Sequence, residues 1–440
     1  ADDSDVINQV DSKKDKYDEI QRNVYLNQLK DVATIWLMAS FYIHAKKDLF
    51  AGASIIPDES RYYEIIKKIG VIDNLPDWKS YLGEKLYNLV KQYQKENKVF
   101  HWEMEFPEII GDGFEAVVGN PPYVDVKAED YCGVGLECLD SRNLYSYIGE
   151  KGILFLDKNN YFSFIVPMSI VCSSRMLSIQ NIFLKYKTAF LNFAERPSKI
   201  FRDAEQKITI LLMKKIKISN IITSSYTQWQ SFERKNLFRS ILKYEQSHIN
   251  IKINNIIPKI GLKIEKDIIE KIFQFKILKK QNIFIGNYSI YFRTTGGRYF
   301  NVITNYPTGS SKETSISLIN KENSDILTSV LNSSLFFWFY ILISNTRDFY
   351  KDEILSFPFD LARVDNNIKN QLLLKTNELM QDIENYSQIK NNIKYYFIRK
   401  SKNIIDDIDR ILAKYYGFNN EELNYIINFQ GKYRISNEDE

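Results

Sequence analysis

Four consecutive residues, Asn120-Pro121-Pro122-Tyr123, are the best placed in this chain to handle a planar amino group. An Asn side-chain oxygen and the backbone carbonyl of a following proline can both accept hydrogen bonds from an exocyclic NH2, and a Tyr ring offers the attached base a stacking face. Two acceptors draw the nitrogen toward tetrahedral geometry and free its lone pair to attack a methyl donor held in line. The loop has no general base, so its chemistry is positioning and electrostatic preorganisation rather than proton abstraction. A Pro-stiffened turn behind a core strand is the alternative reading of the same residues.

The elements around the tetrapeptide must hold it open to a ligand. Phe114-Glu115-Ala116-Val117-Val118-Gly119 reads as a short buried strand, and the two prolines stop it at Asn120 because they lack backbone donors. Residues at the carboxyl end of a parallel strand in an α/β sheet open into the ligand crevice. Downstream, a helix is expected over about 143–156, a strand over Tyr161–Val166 and a helix over Met168–Tyr186, followed by strands over Thr188–Phe193 and Lys207–Met213. Upstream, residues 1–105 read as helical, with apolar residues at helix spacing from Tyr25 to Ala39 and a second helix from Trp78 to Asn97. His44 and His101 sit among aromatics as core or satisfied polar residues, with no ligand partners at metal spacing.

The tetrapeptide in this setting resembles the catalytic motif of amino-group methyltransferases, chiefly the gamma-class N6-adenine DNA methyltransferases fused to restriction or phage-defence functions, as in type IIG restriction-modification enzymes. The approach Phe100 to Glu108 followed by Gly113 to Gly119, and then Asn143-Leu144-Tyr145, Tyr161 to Pro167 and Phe201 to Thr209, follows that family's order. The resemblance implies an α/β fold in which residues 106–218 form the catalytic half of a Rossmann-like methyltransferase sheet, preceded by a helical segment over residues 1–105. Residues 219–365 would be a mixed α+β target-recognition domain and residues 366–440 a helical closing element. It also implies S-adenosylmethionine as methyl donor, double-stranded DNA as substrate, and Asn120, Pro121, Pro122 and Tyr123 as the catalytic residues. Pro167 would lie beside the catalytic loop, and Phe201 could wall the base pocket or serve simply as core.

The family's donor site needs a glycine-rich turn after a first strand and an acidic residue after a second. No such strand-turn-helix stands before Asn120. Asp48 to Ala53 is a weak echo with one glycine, and Gly133-Val134-Gly135 follows no strand. The donor-binding half is therefore expected upstream of residue 1 or on a separate chain, and the start Ala1-Asp2-Asp3-Ser4, without Met, suggests a piece of something longer.

From about Ser219 the composition shifts to Ile, Lys, Asn and Tyr without α/β alternation. Lys+Arg 59 against Asp+Glu 55 leaves a formal charge of only +4, so contact with nucleic acid must come from a local basic face. Tyr291 to Phe300 interleaves arginines and aromatics around a glycine turn, which makes Arg293 and Arg298 candidates for DNA contact, with a solvated charged face as the alternative. Lys312 and Arg347, the latter in the polar turn Ser344 to Asp348, are further candidates. Leu335 to Ile343 is far shorter than the roughly 20 apolar residues of a membrane span and reads as a buried segment. Cys132, Cys138 and Cys172 have neither zinc spacing nor a secretory context, which suggests reduced thiols in a cytoplasmic protein; no metal or membrane partner is expected. Two rivals stand beside the leading reading. One is methylation of another amino group, such as protein glutamine, whose enzymes are small and lack the long segment after Ser219. The other is a DNA-specificity module without catalysis of its own.

Overall fold

Helix signals written into the amino-terminal hundred residues are realised in a computed structural model, which describes residues 3–44, 55–127, 135–201, 205–241, 247–248, 253, 255–295, 301–390 and 393–434. Asp58 caps Glu59–Ile66 by accepting from the Arg61 amide, and Asn74 caps Leu75–Leu82 with Pro76 in the first turn. The stretch expected as one helix from Trp78 to Asn97 is two, Leu75–Leu82 and Glu84–Asn97. Gly83 takes φ +85 between them, a conformation that ends a helix and suits only glycine well. Val24–His44 places Val32, Ile35 and Met38 against Ile65, Trp78, Leu82, Leu86 and Val90. Its buried Asp31 accepts from Trp78 Nε1 at 3.1 Å and Lys91 Nζ at 2.5 Å, so its charge is paired inside this core.

The chain divides into two compact units. The first holds residues 1–117 and 124–160 and includes these helices and the helix Leu144–Phe155, which Asn143 caps through the Tyr145 amide. The second holds residues 118–123 and 161–440. Strands β1 (Phe114–Gly119), β2 (Leu156–Pro167), β3 (Lys187–Phe193), β4 (Ile208–Lys214), β5 (Asn220–Thr223) and β6 (Ser247–His248) make a mixed sheet in the order β1-β2-β4-β3-β5-β6. β4 runs antiparallel to both β2 and β3, in registers that pair Ile208 with Pro167 and with Phe193, and β5 runs parallel to β3. The carboxyl ends of β2, β3 and β5 therefore share one edge with the start of β4. β5 extends this sheet past Ser219 on only four residues, too short for alternation to reveal.

The helix expected over 168–186 is broken into Ser169–Cys172 and Leu177–Phe183 around an extended Ser173. Two adjacent serines there have weak helix propensity and compete for backbone groups locally. Farther on, β7 (Tyr288–Arg293) is flanked by β8 (Ile303–Thr304) and β9 (Glu313–Leu318) in an antiparallel sheet. It packs in one large core with the helices Lys321–Leu331, Ser334–Ile343, Asn366–Asn385 and Lys402–Tyr416. Every residue of Ser334–Ile343 is buried, as the apolar run implied. No single helix among the described residues is long and apolar enough to cross a membrane; Lys321–Leu331 and Ser334–Ile343 pass together only as a pair bent by 72°.

Candidate active site

The loop after β1 is set by its own sequence. Gly119 lies so close to Phe164 of β2 that a Cβ would come 2.9 Å from the ring, and the prolines then end the ladder. Pro121 is buried while Asn120 and Pro122 are exposed, so the loop is anchored by one proline and leaves Asn120 at the surface. Tyr123 is half-buried. Its hydroxyl lies 2.7 Å from Asn120 Oδ1 and 3.0 Å from the Ile165 carbonyl oxygen of β2, which ties both ends of the tetrapeptide to the sheet. Burial pushes the phenol up to about 12, so it keeps its proton at neutral pH.

Pro167 ends β2 two residues beyond Ile165, roughly 7 Å along the strand. The structure therefore brings Asn120–Tyr123 and Pro167 to one sheet edge. Phe201 is half-buried in the segment after β3, which Arg234 holds by donating to the carbonyls of Lys199 (2.7 Å) and Ile200 (3.2 Å). Among the described residues no hydrogen bond or ring contact joins Phe201 to the loop.

Three of the four candidate DNA contacts meet around Thr294 and Thr295. Arg293 ends β7, Thr294 donates to the Lys312 carbonyl at 2.9 Å and accepts from the Phe349 amide at 2.8 Å, and Thr295 bridges to Asp348, next to Arg347. Arg293, Lys312 and Arg347 are exposed, and no ion pair neutralises them among the described residues. Glu313, opposite Arg293 in the ladder, turns its carboxylate to Thr308 instead. Arg298, Cys132, Gly133-Val134 and residues 48–53 lie outside the described residues. Cys138 and Cys172 are free thiols, and burial raises both pKa values.

Sequence reasoning missed the anchors of the Arg347 turn. Lys207, at the mouth of β4, donates from Nζ to the Asn345 carbonyl at 3.0 Å, and fully buried Lys259 donates to the Ser344 carbonyl at 2.9 Å. Thr346 Oγ1 reaches the Tyr226 hydroxyl at 3.3 Å, and the Asn345 side chain accepts from the amides of Arg347 and Asp348 at 2.8 and 2.9 Å. Burial lowers the pKa of both lysines, that of Lys259 to about 8. The available signal was a lone charge inside the apolar run Ile256-Ile257-Pro258-Lys259-Ile260. The Lys207 contact means that the turn carrying Arg347 is fastened to the same sheet edge as the Asn120 loop.

The Asn-Pro-Pro-Tyr loop thus stands at a strand end of a mixed α/β sheet. Residues 7–201 match the family described as Eco57I restriction-modification methylase, a match that supports a restriction-modification methyltransferase-like protein. Among solved structures it is similar to the type IIL restriction-modification enzyme MmeI in complex with DNA, at 11% identity and TM-score 0.40, covering 73% of this chain and 57% of that one. It is also similar to the type IIG restriction endonuclease BpuSI, at 10% identity and TM-score 0.28, covering 91% and 65%. A nuclease-deletion mutant of the type ISP enzyme LlaGI with a DNA substrate mimic gives 12% identity and TM-score 0.30, over 44% of this chain and 22% of that one. The chain thus spans between about a fifth and just over half the length of the first two structures it matches. No match is found among curated proteins.

Proposed function

We propose that this chain supplies the target-base half and the recognition domain of an S-adenosylmethionine-dependent DNA adenine-N6 methyltransferase, within a restriction-modification or phage-defence enzyme of the type IIG kind. The observation that carries the reading is the exposed residue Asn120 at the carboxyl end of β1, backed by a buried proline and tied through Tyr123 to β2. Adenine flipped out of the duplex would offer its amino group to the Asn120 oxygen and the Pro121 carbonyl, with the Tyr123 ring against the base and Pro167 beside it. A paired, stacked adenine cannot reach such a loop.

The described residues do not fit the donor. Among the described residues every element before β1 is helical, so within them no strand and glycine turn precede Asn120. In this reading the donor-binding half lies upstream or on a separate chain, a view supported by β1 standing last in the sheet order with Val118 77% exposed. This chain's own part is to hold and orient the base. The exposed cluster of Arg293, Lys312 and Arg347 favours DNA over a protein glutamine as substrate, and in this reading residues 219–365 carry the sequence preference.

Asn120→Ala in the complete natural protein tests the assignment. Losing one preorganised contact of this kind costs about 10² to 10³ in rate, while DNA affinity, which comes mostly from phosphate contacts, should stay within about twofold. Normal methylation by the variant would remove Asn120 from the mechanism. Tight S-adenosylmethionine binding by these 440 residues alone would overturn the placement of the donor half.

A further inference from the structure

The Tyr123 hydroxyl stands between two oxygens but owns one hydrogen. Asn120 Oδ1 lies at 2.7 Å and the Ile165 carbonyl at 3.0 Å, and the phenol can donate to only one of them at a time. The Ile165 carbonyl belongs to the backbone of β2 and can only accept. The Asn120 carboxamide can meet the phenol with either end, because a half-turn about its terminal torsion exchanges the carbonyl and the NH2. Two arrangements follow. In one, the phenol donates to Asn120 Oδ1, which faces inward and is engaged with the protein. In the other, the phenol donates to Ile165, accepts from Asn120 Nδ2, and leaves the Asn120 oxygen facing the exposed side of the loop.

We infer that the Tyr123 hydroxyl is a positioning group that sets which end of the Asn120 carboxamide faces the substrate, switching its hydrogen to Ile165 when an amino group arrives. The inference rests on the proposed function and adds to it a task separate from any stacking by the Tyr123 ring. A substrate NH2 donates and cannot accept once its lone pair is committed to the reaction, so it selects the arrangement with the Asn120 oxygen turned outward. In that arrangement every polar group of the trio has a partner: Nδ2–H on the phenol oxygen, the phenol hydrogen on Ile165, and Oδ1 on the substrate. The phenol holds its hydrogen throughout the working range, since burial pushes it up to about 12. Without the hydroxyl, nothing in this trio distinguishes the two ends of the amide.

Tyr123→Phe keeps the ring and removes the hydroxyl. In the complete natural protein, kcat for DNA methylation should fall about tenfold, less than the loss on removing the acceptor itself. The KM for DNA and the fluorescence rise of 2-aminopurine at the target position, which reports flipping, should match wild type. In a double-mutant cycle, Tyr123→Phe should have no further effect on kcat in the Asn120→Ala background, because the hydroxyl acts through Asn120. Wild-type kcat in Tyr123→Phe, or additive losses in the cycle, would overturn the inference while leaving the proposed function intact. Loss of the 2-aminopurine signal in Tyr123→Phe would overturn it too, by showing a role in holding the base. A wild-type protein that methylates no DNA would overturn the proposed function, and this inference with it.

Discussion

Lys259→Met should make the protein no less stable at neutral pH while weakening its hold on DNA. Lys259 is 0% exposed, faces Cys172, Lys207 and Glu353, and has its Nζ on the Ser344 carbonyl at 2.9 Å. Burial lowers its pKa from 10.5 to about 8, so keeping the ammonium inside the fold at pH 7 costs about 3 kcal/mol. Met fills similar space without charge and removes that cost, but leaves the Ser344 carbonyl buried and unpaired, which costs about 1 to 3 kcal/mol. The difference leaves the variant about 0 to 2 kcal/mol more stable at pH 7. The sign then reverses with pH. The folded state releases this proton near 8 and the unfolded state near 10.5, so between those values the unfolded chain binds more protons and wild-type stability from this group rises with pH. Above that window wild type has lost its penalty and keeps its hydrogen bond, so the variant becomes the less stable protein. Urea unfolding of both proteins at pH 7 and pH 10 measures the change, and a stability difference that did not move toward wild type at the higher pH would refute the reasoning. DNA affinity should fall whatever the stability does, because the turn carrying Arg347 has lost one of its two lysine anchors.

Changing Arg293, Lys312 and Arg347 singly to Ala separates base reading from phosphate binding. A base contact should cost about 1 to 3 kcal/mol at one position of the methylated site, whereas a phosphate contact should weaken all sequences alike and lower the salt slope by about 1, read by methylation-site sequencing and by binding across a salt series. If all three variants kept both the parental preference and the parental salt slope, DNA would have to bind elsewhere. Gly119→Ala should destabilise the fold by about 1 to 3 kcal/mol, because the new methyl meets buried Phe164 at 2.9 Å. Pairing it with Phe164→Leu should recover much of that loss, and thermal unfolding of the single and double variants shows whether it does.

What could be read from the chain in advance is what a few neighbouring residues decide among themselves. The prolines after Gly119 end a strand whatever surrounds it, and the apolar run at 335–343 has no polar face to show to water, so both features follow from local rules. Local rules also fail locally. Gly83 ends a helix in a sequence that continues at helix spacing on both sides, and Ser173 breaks another because two serines offset the apolar stripe around them. The larger gap is in long-range pairing. Lys259 lies 85 residues from the carbonyl it serves, and Lys207 lies 138 residues from its own. No spacing pattern encodes such contacts, and charge composition is blind to them because these lysines are withdrawn from the surface. Yet a lysine set in Ile256-Ile257-Pro258-Lys259-Ile260 cannot keep its ammonium buried without an acceptor, so its presence there already demands a partner from elsewhere in the chain. A turn between buried elements has backbone carbonyls that its own residues leave unpaired, and Ser344-Asn345-Thr346-Arg347-Asp348 follows a wholly buried helix. The two needs are complementary. That complementarity, rather than any count of basic residues, is what fastens Arg347 to the sheet edge where Asn120 stands.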